Sequence, residues 1–440
     1  MQTRKILEIA KKEHVQFIEM QFMDILGVLK SITLPVSQLE KALNEGIFFD
    51  GSSVLGYATI EESDMRLCAD ADTFLILPSL DGEGKTARLL CNVYDYENRP
   101  FTGDPRAVLG NHLLEIKKRG WTLNTAPEYE FFYMLLDQNG NPTTTPADSG
   151  GYFELLHDAG GRAREETVNY LDALGFEVEA SHHEVAPGQH EIDLKYTDAI
   201  KSADRVAMMK HVTKMVARKH NLYATFMPKP IFGLSGSGMH THISITDSKG
   251  KNIFYDPKGQ YQLSKTALYF IGGILKYAQE ICAILSSSVN SYKRLIPGYE
   301  APVYISWANR NRSSLIRVPA GRDMKTRVEI RSPDPTGNPY LQFTVMLAAG
   351  LKGIADKIAP PEPIEKDIYH MSKEDRKIQN ILSLPDNLGQ ALDYMENSSL
   401  VRNALGSHIF EHFLYIKREE WKNYITHVTD WEIKQLLPIL

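Results

Sequence analysis

Four segments of the chain carry ionisable side chains at alternate positions, with apolar, small or threonine side chains between them. Successive side chains of a β-strand point to opposite faces, so this spacing predicts strands with one ionisable face and one apolar face. Such strands predict a sheet whose apolar side is packed by helices and whose other side is a charged hollow. An ordinary solvated sheet face is the alternative for any single strand. The segments are APEYEFFYMLL (126–136), SHHEVAPGQHEIDLKY (181–196), GSGMHTHISIT (236–246) and TRVEIRS (326–332).

The predicted ionisable face is rich in carboxylates. Glu128 and Glu130 share one face of their strand. Glu184 and Glu191 flank a Pro-Gly turn, whose reversal would bring them together. Crowded carboxylates repel one another unless cations hold them, and oxygen ligands with one imidazole suit Mg²⁺ or Mn²⁺ better than Zn²⁺. We therefore expect divalent metals. The remaining members of this face are His240, His242, Ser244, Arg327, Glu329 and Arg331.

A run of arginines accompanies these strands. Arginine grips carboxylate and phosphate groups through two parallel hydrogen bonds, so with divalent cations the run predicts a clamp for a polyphosphate such as ATP. Surface or ion-pair arginines are the alternative for about half of them individually. The glycine-rich segment 232–240 lacks the spacing of the known nucleotide-binding loops. The arginines are Arg294, Arg310, Arg312, Arg317, Arg322, Arg327 and Arg331.

Charge and cysteine content restrict the partners and the compartment. The 440 residues include 49 Lys and Arg against 55 Asp and Glu, a net charge of −6, so no basic excess is available for nucleic acid. The three cysteines form no pairing pattern, which favours a reducing cytoplasm. The most apolar run, 267–285, contains a lysine and a glutamate and is interpreted as a core helix, so we expect no membrane segment.

The punctuation of the sequence predicts two domains. Short apolar runs separated by Gly, Pro and Asp predict a small β-rich unit over residues 15–100. Asp104 and Pro105 then predict a helix start, so we place the boundary near 102–103, giving domains 1–103 and 104–440. The second domain alternates strands with helices and belongs to the α+β or α/β class. Its helices are predicted at 162–174, 198–219, 265–285, 339–357 and 400–417.

Seven motifs in order along the chain resemble those of glutamine synthetases of the type I bacterial and archaeal class. They are FDGSS (49–53), PEYEFF (127–132), SHHEVAPGQHE (181–191), KPIFGLSGSGMH (229–240), NSYKRLIPGYEAP (290–302), NRSSLIR (311–317) and RVEIRSPDP (327–335). The resemblance implies an α+β fold, with an N-terminal β-grasp domain and a catalytic domain of helices and a curved antiparallel sheet. It also implies ATP-dependent ligation of ammonia to the γ-carboxylate of L-glutamate through γ-glutamyl phosphate, giving glutamine, ADP and phosphate.

The resemblance implies a role for each candidate residue by its place in these motifs. One Mg²⁺ or Mn²⁺ ion would be held by Glu130, Glu184 and Glu191, and a second by Glu128, His240 and Glu329. The ATP phosphates or the transferring phosphoryl group would be faced by Arg312, Arg317 and Arg327, and the nucleotide by His242 and Ser244. Glutamate would be held by Ser235, Gly236, Arg294 and Arg331. Ammonium would be bound by Asp50, Ser53, Tyr152 and Glu184, with Glu300 gating the site and accepting a proton.

The chain departs from the family pattern in three places. Ser235 stands where the glycine loop of the family usually has Asn, which affects the hold on glutamate. Thr59 stands where the feedback-regulated branch has Arg, which argues against glutamine feedback through that position. The insert of the adenylylated branch is absent, and Tyr369 lies in DIYHMSKED instead of the motif of that branch, so we expect no adenylylation.

The resemblance also implies how subunits combine. In the family, the equivalents of Asp50 and Ser53 act in the neighbouring subunit's site, which implies an obligate homo-oligomer, expected as a dodecamer of two stacked hexamers. The apolar segment 431–440 suits docking between rings. Two other functions remain possible at this stage: a γ-glutamyl ligase for a polyamine or alkylamine, and a non-catalytic synthetase-like assembly protein. The complete ammonium pocket argues against the first, and the complete metal and arginine sets against the second.

Overall fold

The N-terminal unit is a small mixed sheet with two helices. The computed structural model describes residues 2–57, 63–78 and 84–440, so Thr59 lies outside the described residues. The elements of this unit are α1 Thr3–Lys12, β1 Val15–Met23, β2 Leu29–Pro35, α2 Leu39–Glu45, β3 Ile47–Asp50, β4 Asp64–Ala69, β5 Leu75–Leu77 and β6 Lys85–Tyr94. The strand order is β2-β1-β6-β4-β3, with β5 also on β6, and among the strands described here only the pair β1 and β6 is parallel. This is the predicted β-rich unit.

The remainder of the chain holds a second, larger sheet and most of the helices. Its strands are β7 Trp121–Leu136, β8 Pro142–Pro146, β9 Val178–His183, β10 Gln189–Leu194, β11 Thr197–Asp198, β12 Leu222–Thr225, β13 Met239–Asp247, β14 Trp307–Ala308, β15 Ile316–Arg317 and β16 Val328–Ile330. Its helices are α3 Pro105–Lys118, α4 Gly161–Ala173, α5 Ala199–Lys219, α6 Lys265–Lys276, α7 Ala278–Leu285, α8 Ser291–Arg294, α9 Pro339–Ala355, α10 Lys373–Ile378, α11 Leu388–Glu396, α12 Ser399–Thr426 and α13 Asp430–Leu436.

The register of the large sheet brings the predicted ionisable residues side by side. The strand order is β14-β15-β16-β13-β7-β10-β9, antiparallel except for β14 with β15, and β8, β11 and β12 also pair with the long β7. Across these strands Glu128 stands opposite His240, and Glu130 stands opposite Glu191. His242 in turn stands opposite Glu329. Four strands thus share one charged surface, as the alternation predicted.

Helices cover the apolar face of this sheet. Helices α3 and α5 pack on β7, and α9 packs on α3, α5 and α6. Tyr129 and Phe131 of β7 are fully buried in this core. The start of α3 is as predicted, because the Asp104 side chain accepts a hydrogen bond from the Arg106 amide at 2.9 Å and Pro105 is the first helical residue.

The predicted single helix over 265–285 is instead two helices. Helices α6 and α7 meet at 76° around Tyr277. The bend lets α6 lie along α9 while α7 also packs on α11. Both halves are buried, so the uniform apolar composition gave no sign of the change in direction. Among the described residues no single helix is long and apolar enough to cross a membrane, and this bent pair meets those criteria only when its halves are joined.

The last helix, α13, is held by its own side chains. The hydroxyl of Thr429 accepts a hydrogen bond from the Glu432 amide, and the Glu432 carboxylate accepts one from the Thr429 amide, which forms a capping box. The apolar residues of this segment are exposed, among them Trp431 at 67% and Leu437 at 75%.

Candidate functional site

The charged face of the large sheet lines a cavity of about 310 Å³. Its floor comes from β7, β10, β13 and β16, and its walls from the loops around Tyr152, Ser235, Glu300 and Arg312. Fourteen of the predicted site residues line it: Glu128, Glu130, Tyr152, Glu184, Glu191, Ser235, Gly236, His240, Arg294, Glu300, Arg312, Arg317, Glu329 and Arg331.

A second cavity of about 410 Å³ adjoins the first and shares Glu128 and Asp193 with it. The predicted nucleotide residues His242, Ser244 and Arg327 line this second cavity. Nε of Arg327 donates to Nδ1 of His242 at 3.1 Å. Because Nδ1 accepts, Nε2 carries the proton, and it donates to Oε1 of Glu128 at 2.6 Å. His242 therefore connects the second cavity to the carboxylate floor of the first.

The first candidate metal cluster consists of Glu128, His240 and Glu329. Their ligand atoms all lie within 4.8 Å of one another. Burial would raise the pKa of Glu128, but hydrogen bonds from His240 and His242 outweigh it, and the pKa lies well below its usual value. Burial likewise opposes ionisation of Glu329, whose pKa is nevertheless lowered by the facing His242 and by neighbouring arginines. This cluster is charged and ready to receive a cation.

The second cluster brings Glu184 and Glu191 together with His182. Their ligand atoms also lie within 4.8 Å of one another, and Nε2 of His182 is 3.1 Å from Oε1 of Glu191. Burial, then the charge of Glu130, raises the pKa of Glu184 to about 8. Burial also raises the pKa of Glu130 to about 7. A bound divalent cation would offset the repulsion between these neighbouring carboxylates and favour their ionised form. Both clusters therefore fit the divalent metals that their composition predicted.

Glu130 is the predicted metal residue that belongs to neither group of closely spaced ligand atoms, although it stands opposite Glu191. Its Oε2 accepts hydrogen bonds from the Gly238 amide at 2.8 Å and from the Gln189 side chain at 3.1 Å. Its Oε1 lies 3.9 Å from Nδ1 of His240. Glu130 thus lines the same cavity between the two clusters, and His182 occupies the third position in the cluster where Glu130 was expected.

Two buried arginines differ in how their guanidinium groups are bonded. Arg294 donates to the carbonyl oxygens of Arg331 and Ser332, both at 3.0 Å. Arg331 has its Nε 3.2 Å from Oε1 of Glu329 but makes no hydrogen bond there. Its Nη1 is buried without a hydrogen-bond partner among the described residues. A buried, unpaired N–H donor that lines a cavity is suited to an anionic ligand such as a carboxylate.

Asp50 and Ser53 do not line either cavity of their own chain. Asp50 closes β3, and its carboxylate accepts hydrogen bonds from the hydroxyls of Ser52 at 2.6 Å and Ser53 at 2.7 Å. The structure therefore brings seventeen of the nineteen predicted residues into two adjoining cavities and leaves these two outside.

Sequence reasoning missed four residues with polar side chains in this site. His182, Gln189, Asp193 and Tyr299 line the first cavity. His182 and Asp193 continue the alternation of Glu184 and Glu191, so the pattern could have indicated them. Gln189, the first residue of β10, shares the same alternation with Glu191 and Asp193, whereas Tyr299 lies in a loop, where no periodicity applies.

Comparison with known families gives a direct result. The chain matches the family model for the catalytic domain of glutamine synthetase over residues 102–436, and the model for the glutamine synthetase β-grasp domain over residues 14–96. The chain belongs to the glutamine synthetase family. The predicted α+β fold with an N-terminal β-grasp domain is thereby confirmed.

Individual relatives are similar over their full length. The glutamine synthetase of Methanosarcina mazei is 50% identical over 436 residues, which cover 99% of this chain and 97% of that protein. The glutamine synthetase of Thermus thermophilus is 50% identical over 438 residues, 98% of each chain. The solved GmaS/ADP complex has a TM-score of 0.88 at 31% identity over 98% of this chain and 99% of that one. Glutamine synthetase from Plasmodium falciparum, at 24% identity and a TM-score of 0.87 over 99% of both chains, shares the fold.

These similarities establish the activity of this glutamine synthetase. It is a glutamate–ammonia ligase that makes glutamine from glutamate and ammonia with ATP, and enzymes of this family require a divalent metal. The polyamine or alkylamine ligase and the non-catalytic assembly protein are not favoured.

Proposed function

We propose that this glutamine synthetase is a type I enzyme that works in two steps within the adjoining cavities. The observation that carries the proposal is that both carboxylate-rich clusters lie on one floor, next to the second cavity and beside a buried arginine, Arg331, whose Nη1 has no hydrogen-bond partner among the described residues. Glu128, His240 and Glu329 would hold one Mg²⁺ or Mn²⁺ ion, and Glu130, Glu184 and Glu191 another, with His182 close by. Bound metal would supply charge to offset the repulsion between glutamate and the ATP phosphates.

The first step joins the γ-carboxylate of glutamate to the γ-phosphoryl group of ATP. His242, Ser244 and Arg327 would bind the nucleotide, since they line the second cavity. Arg312 and Arg317 line the first cavity and would face the transferring phosphoryl group. Developing negative charge is stabilised there by guanidinium groups held in place before the reaction.

Glutamate would lie in the first cavity, against the arginines. Arg331 has the free donor for a carboxylate, and Arg294 fixes the backbone that carries Arg331. Gly236 is required beside them, because a Cβ there would meet the carbonyl oxygen of Pro228 at 2.3 Å. Ser235 would offer a hydroxyl to the substrate from the same wall.

In the second step ammonia displaces phosphate from γ-glutamyl phosphate. Tyr152 and Glu184 would form the ammonium pocket with Asp50 and Ser53 from a neighbouring subunit. Carboxylates both bind ammonium and accept the proton it must lose before it attacks. Glu300 lines the same cavity from a loop and would accept a proton and exclude water from the acyl phosphate.

The remaining parts of the proposal concern assembly, control and location. The enzyme would be a dodecamer of two stacked hexamers, with domains 1–103 and 104–440 and the exposed apolar α13 docking between rings. The absence of adenylylation is supported by Tyr369, whose hydroxyl is engaged, donating to the carbonyl oxygen of Ala301 at 2.6 Å. All three cysteines are free thiols, which supports a cytoplasmic location.

The test is ADP release coupled to glutamate with ammonia, methylamine, a polyamine or no amine, each with Mg²⁺ and with Mn²⁺. We expect release to depend on glutamate and ammonia and to require one of the metals. Equal release with an alkylamine would contradict the proposed ammonium pocket. Release without added glutamate would contradict the assignment of Arg331 and its neighbours.

A further inference from the structure

A buried charged network lies outside the residues that line either cavity. Asp148 and Asp158 have side chains 3% and 4% exposed, and those of His183 and His190 are fully buried. Arg164 joins the group, with Nη1 2.7 Å from Oδ2 of Asp158. Such a group is costly to bury unless its members bond one another, so its position requires an explanation.

Asp148 is the centre of this network because it connects three segments. Oδ1 accepts hydrogen bonds from Nε2 of His183 at 3.0 Å and from the Gly188 amide at 2.7 Å. Oδ2 accepts one from the Ala159 amide at 3.1 Å, and Oδ1 a further one from the Gly150 amide at 3.2 Å. Asp148 therefore closes its own loop, 148–159, and ties that loop to the turn between β9 and β10.

His183 carries this attachment to the site. Its Nδ1 faces the carbonyl oxygen of Glu184 at 2.7 Å, so both of its ring nitrogens donate, one to Asp148 and one to the backbone of Glu184. The backbone of Gly150 packs closely against the His183 ring, since a Cβ at Gly150 would lie 2.8 Å from Nε2 of His183. Burial would raise the pKa of Asp148, but hydrogen bonds from His183 and Gly188 lower it to about 2, so the carboxylate is ionised.

The closed loop carries Tyr152 to the other side of the same pocket. The amide of Phe153 donates to the carbonyl oxygen of His183 at 3.1 Å, and the Tyr152 ring meets the His182 ring edge to face at 5.6 Å. One carboxylate thus sets the position of Tyr152 relative to Glu184. These are the two residues of this chain that the proposed ammonium pocket contains.

We propose that Asp148, acting through His183, is a positioning residue for the ammonium pocket. This inference rests on the proposed function. The competing idea is a structural metal ion, because the ligand atoms of Asp148, Asp158, His183 and His190 lie within 4.8 Å of one another. Arg164 argues against a cation, because its Nη1 donates a hydrogen bond to Nδ1 of His190 at 2.7 Å, so that this nitrogen is not free to bind a metal. The guanidinium also places a fixed positive charge inside the group.

The first experiment compares Asp148→Asn with Asp137→Asn as a matched control. Asp137 accepts hydrogen bonds from the amides of Asn139 and Asn141, both at 2.8 Å, in the turn between β7 and β8, and it lines neither cavity. We expect Asp148→Asn to raise the ammonium KM about tenfold and lower kcat, with the ATP KM within twofold of wild type. Asp137→Asn should change neither. An unchanged ammonium KM, or equal rises in the ammonium and ATP KM values, overturns the proposal.

The second experiment uses His183→Asn and His183→Gln, which separate the two contacts and remain informative if Asp148→Asn fails to fold. Asn mimics Nδ1 and keeps the donor to Glu184, whereas Gln mimics Nε2 and keeps the donor to Asp148. Each should raise the ammonium KM, because the connection needs both contacts, and wild-type kinetics for both overturns the proposal. Where Asp148→Asn folds, its combination with His183→Asn should be no worse than the more impaired single variant.

Two further measurements complete the test. In the first, metal analysis of the wild-type protein after dialysis against a chelator is expected to find no tightly bound transition metal. If the wild-type protein retains one metal ion per subunit and Asp148→Asn loses it, a metal site replaces the proposal. Failure of the proposed function would show instead as wild-type protein that releases ADP without dependence on ammonia.

Discussion

Single residues divide the carboxylates of this site into two kinds. Glu128 and Glu329 have lowered pKa values, because histidines and arginines outweigh the cost of burying them. Glu184 and Glu130 have raised pKa values, because burial outweighs the other influences, which for Glu130 include the opposing charge of Arg294 and for Glu184 the like charge of Glu130. The first kind can receive a cation directly, and the second must lose protons to do so. One floor therefore holds two candidate cation sites that differ in the charge of their carboxylates.

Removal of a carboxylate side chain that is proposed to bind a metal ion should abolish glutamine synthesis. Loss of a residue that hydrogen-bonds a metal ligand typically lowers activity roughly 10- to 100-fold. We expect Glu329→Ala and Glu130→Ala each to lower activity by more than this, because each removes a proposed ligand itself. The measurement is ADP release across a Mg²⁺ titration. Glu115→Ala is the control, since that carboxylate lies on the surface of α3 with its side chain 68% exposed. Near-wild-type turnover of either site variant at saturating Mg²⁺ would show that the assignment is wrong.

Ser235 should tune the affinity for glutamate. A neutral hydrogen bond contributes roughly 0.5–1.5 kcal/mol, or about two- to tenfold in affinity, and Asn reaches further into the cavity than Ser. We expect Ser235→Asn to lower the glutamate KM by that factor with little change in kcat, because such a contact is equal in the ground and transition states. Steady-state kinetics with glutamate and with an amine panel measures both.

The competing possibility is that Ser235 admits a bulkier amine or another acid. In that case Ser235→Asn would remove activity with that substrate and leave the ammonia-dependent reaction as it was. If the glutamate KM and the amine panel are both unaltered, neither role for Ser235 stands.

At the scale of elements, close helix packing depends on glycines. Helices α6 and α9 approach so closely that a Cβ at Gly353 would lie 2.2 Å from the carbonyl oxygen of Tyr269 and 2.6 Å from Cα of Gly273. Only backbone atoms stand there, so no side chain can move aside. The contact fixes α9, on which α3, α5 and α12 also pack.

Gly353→Ala should accordingly destabilise the protein by about 1–3 kcal/mol, the usual cost of overpacking a tight core. Gly110 in α3 is the matched control, because an added Cβ there meets no atom within 4 Å. Gly110→Ala should raise stability by about 0.4–1 kcal/mol, since Ala favours a helix and restricts the unfolded chain. Thermal unfolding of the two variants measures both, and equal midpoints would contradict the packing argument.

The strands show what the sequence could and could not predict. Alternation placed Glu128, Glu130, His240 and Glu329 on one face, because a strand has a side-chain period of two whatever its neighbours are. It could not predict that His182 joins Glu184 and Glu191, because the pairing of β9 with β10 sets that contact, and the turn at Gly188 and the hydrogen bonds of Asp148 hold this hairpin. The bend at Tyr277 was likewise hidden, because both halves are equally apolar and only packing distinguishes them.

At the scale of the whole molecule, the proposed ammonium pocket is incomplete within one chain. Asp50 and Ser53 are bonded to each other at the end of β3 and line neither cavity. The proposed ammonium pocket requires them, so two subunits must combine to form it. Activity should therefore depend on assembly and not only on the folding of each chain.

Mixed oligomers should test this dependence. In the proposed shared site, one chain contributes Arg331 and its neighbour contributes Asp50. An oligomer of Asp50→Ala chains alone or of Arg331→Ala chains alone should therefore be inactive, whereas a mixed oligomer should regain part of the activity. We expect up to about a quarter of the sites to be intact in an equal, random mixture, since each of the two contributing chains is undamaged half the time. The measurement is glutamine formation after subunit exchange verified by differently tagged chains. Inactivity of a verified mixture would contradict a site shared between chains.

The capping box of α13 has a consequence for how the oligomer forms. Because Thr429 and Glu432 cap that helix within a single chain, we expect the exposed apolar segment to be helical before any subunit docks. A preorganised segment loses little conformational freedom when it docks. Diffusional encounter, and not refolding at the contact, would then limit the rate at which rings join. The apparent rate constant of assembly should rise in proportion to subunit concentration from the first seconds after synthesis. No lag phase for folding of the segment is expected.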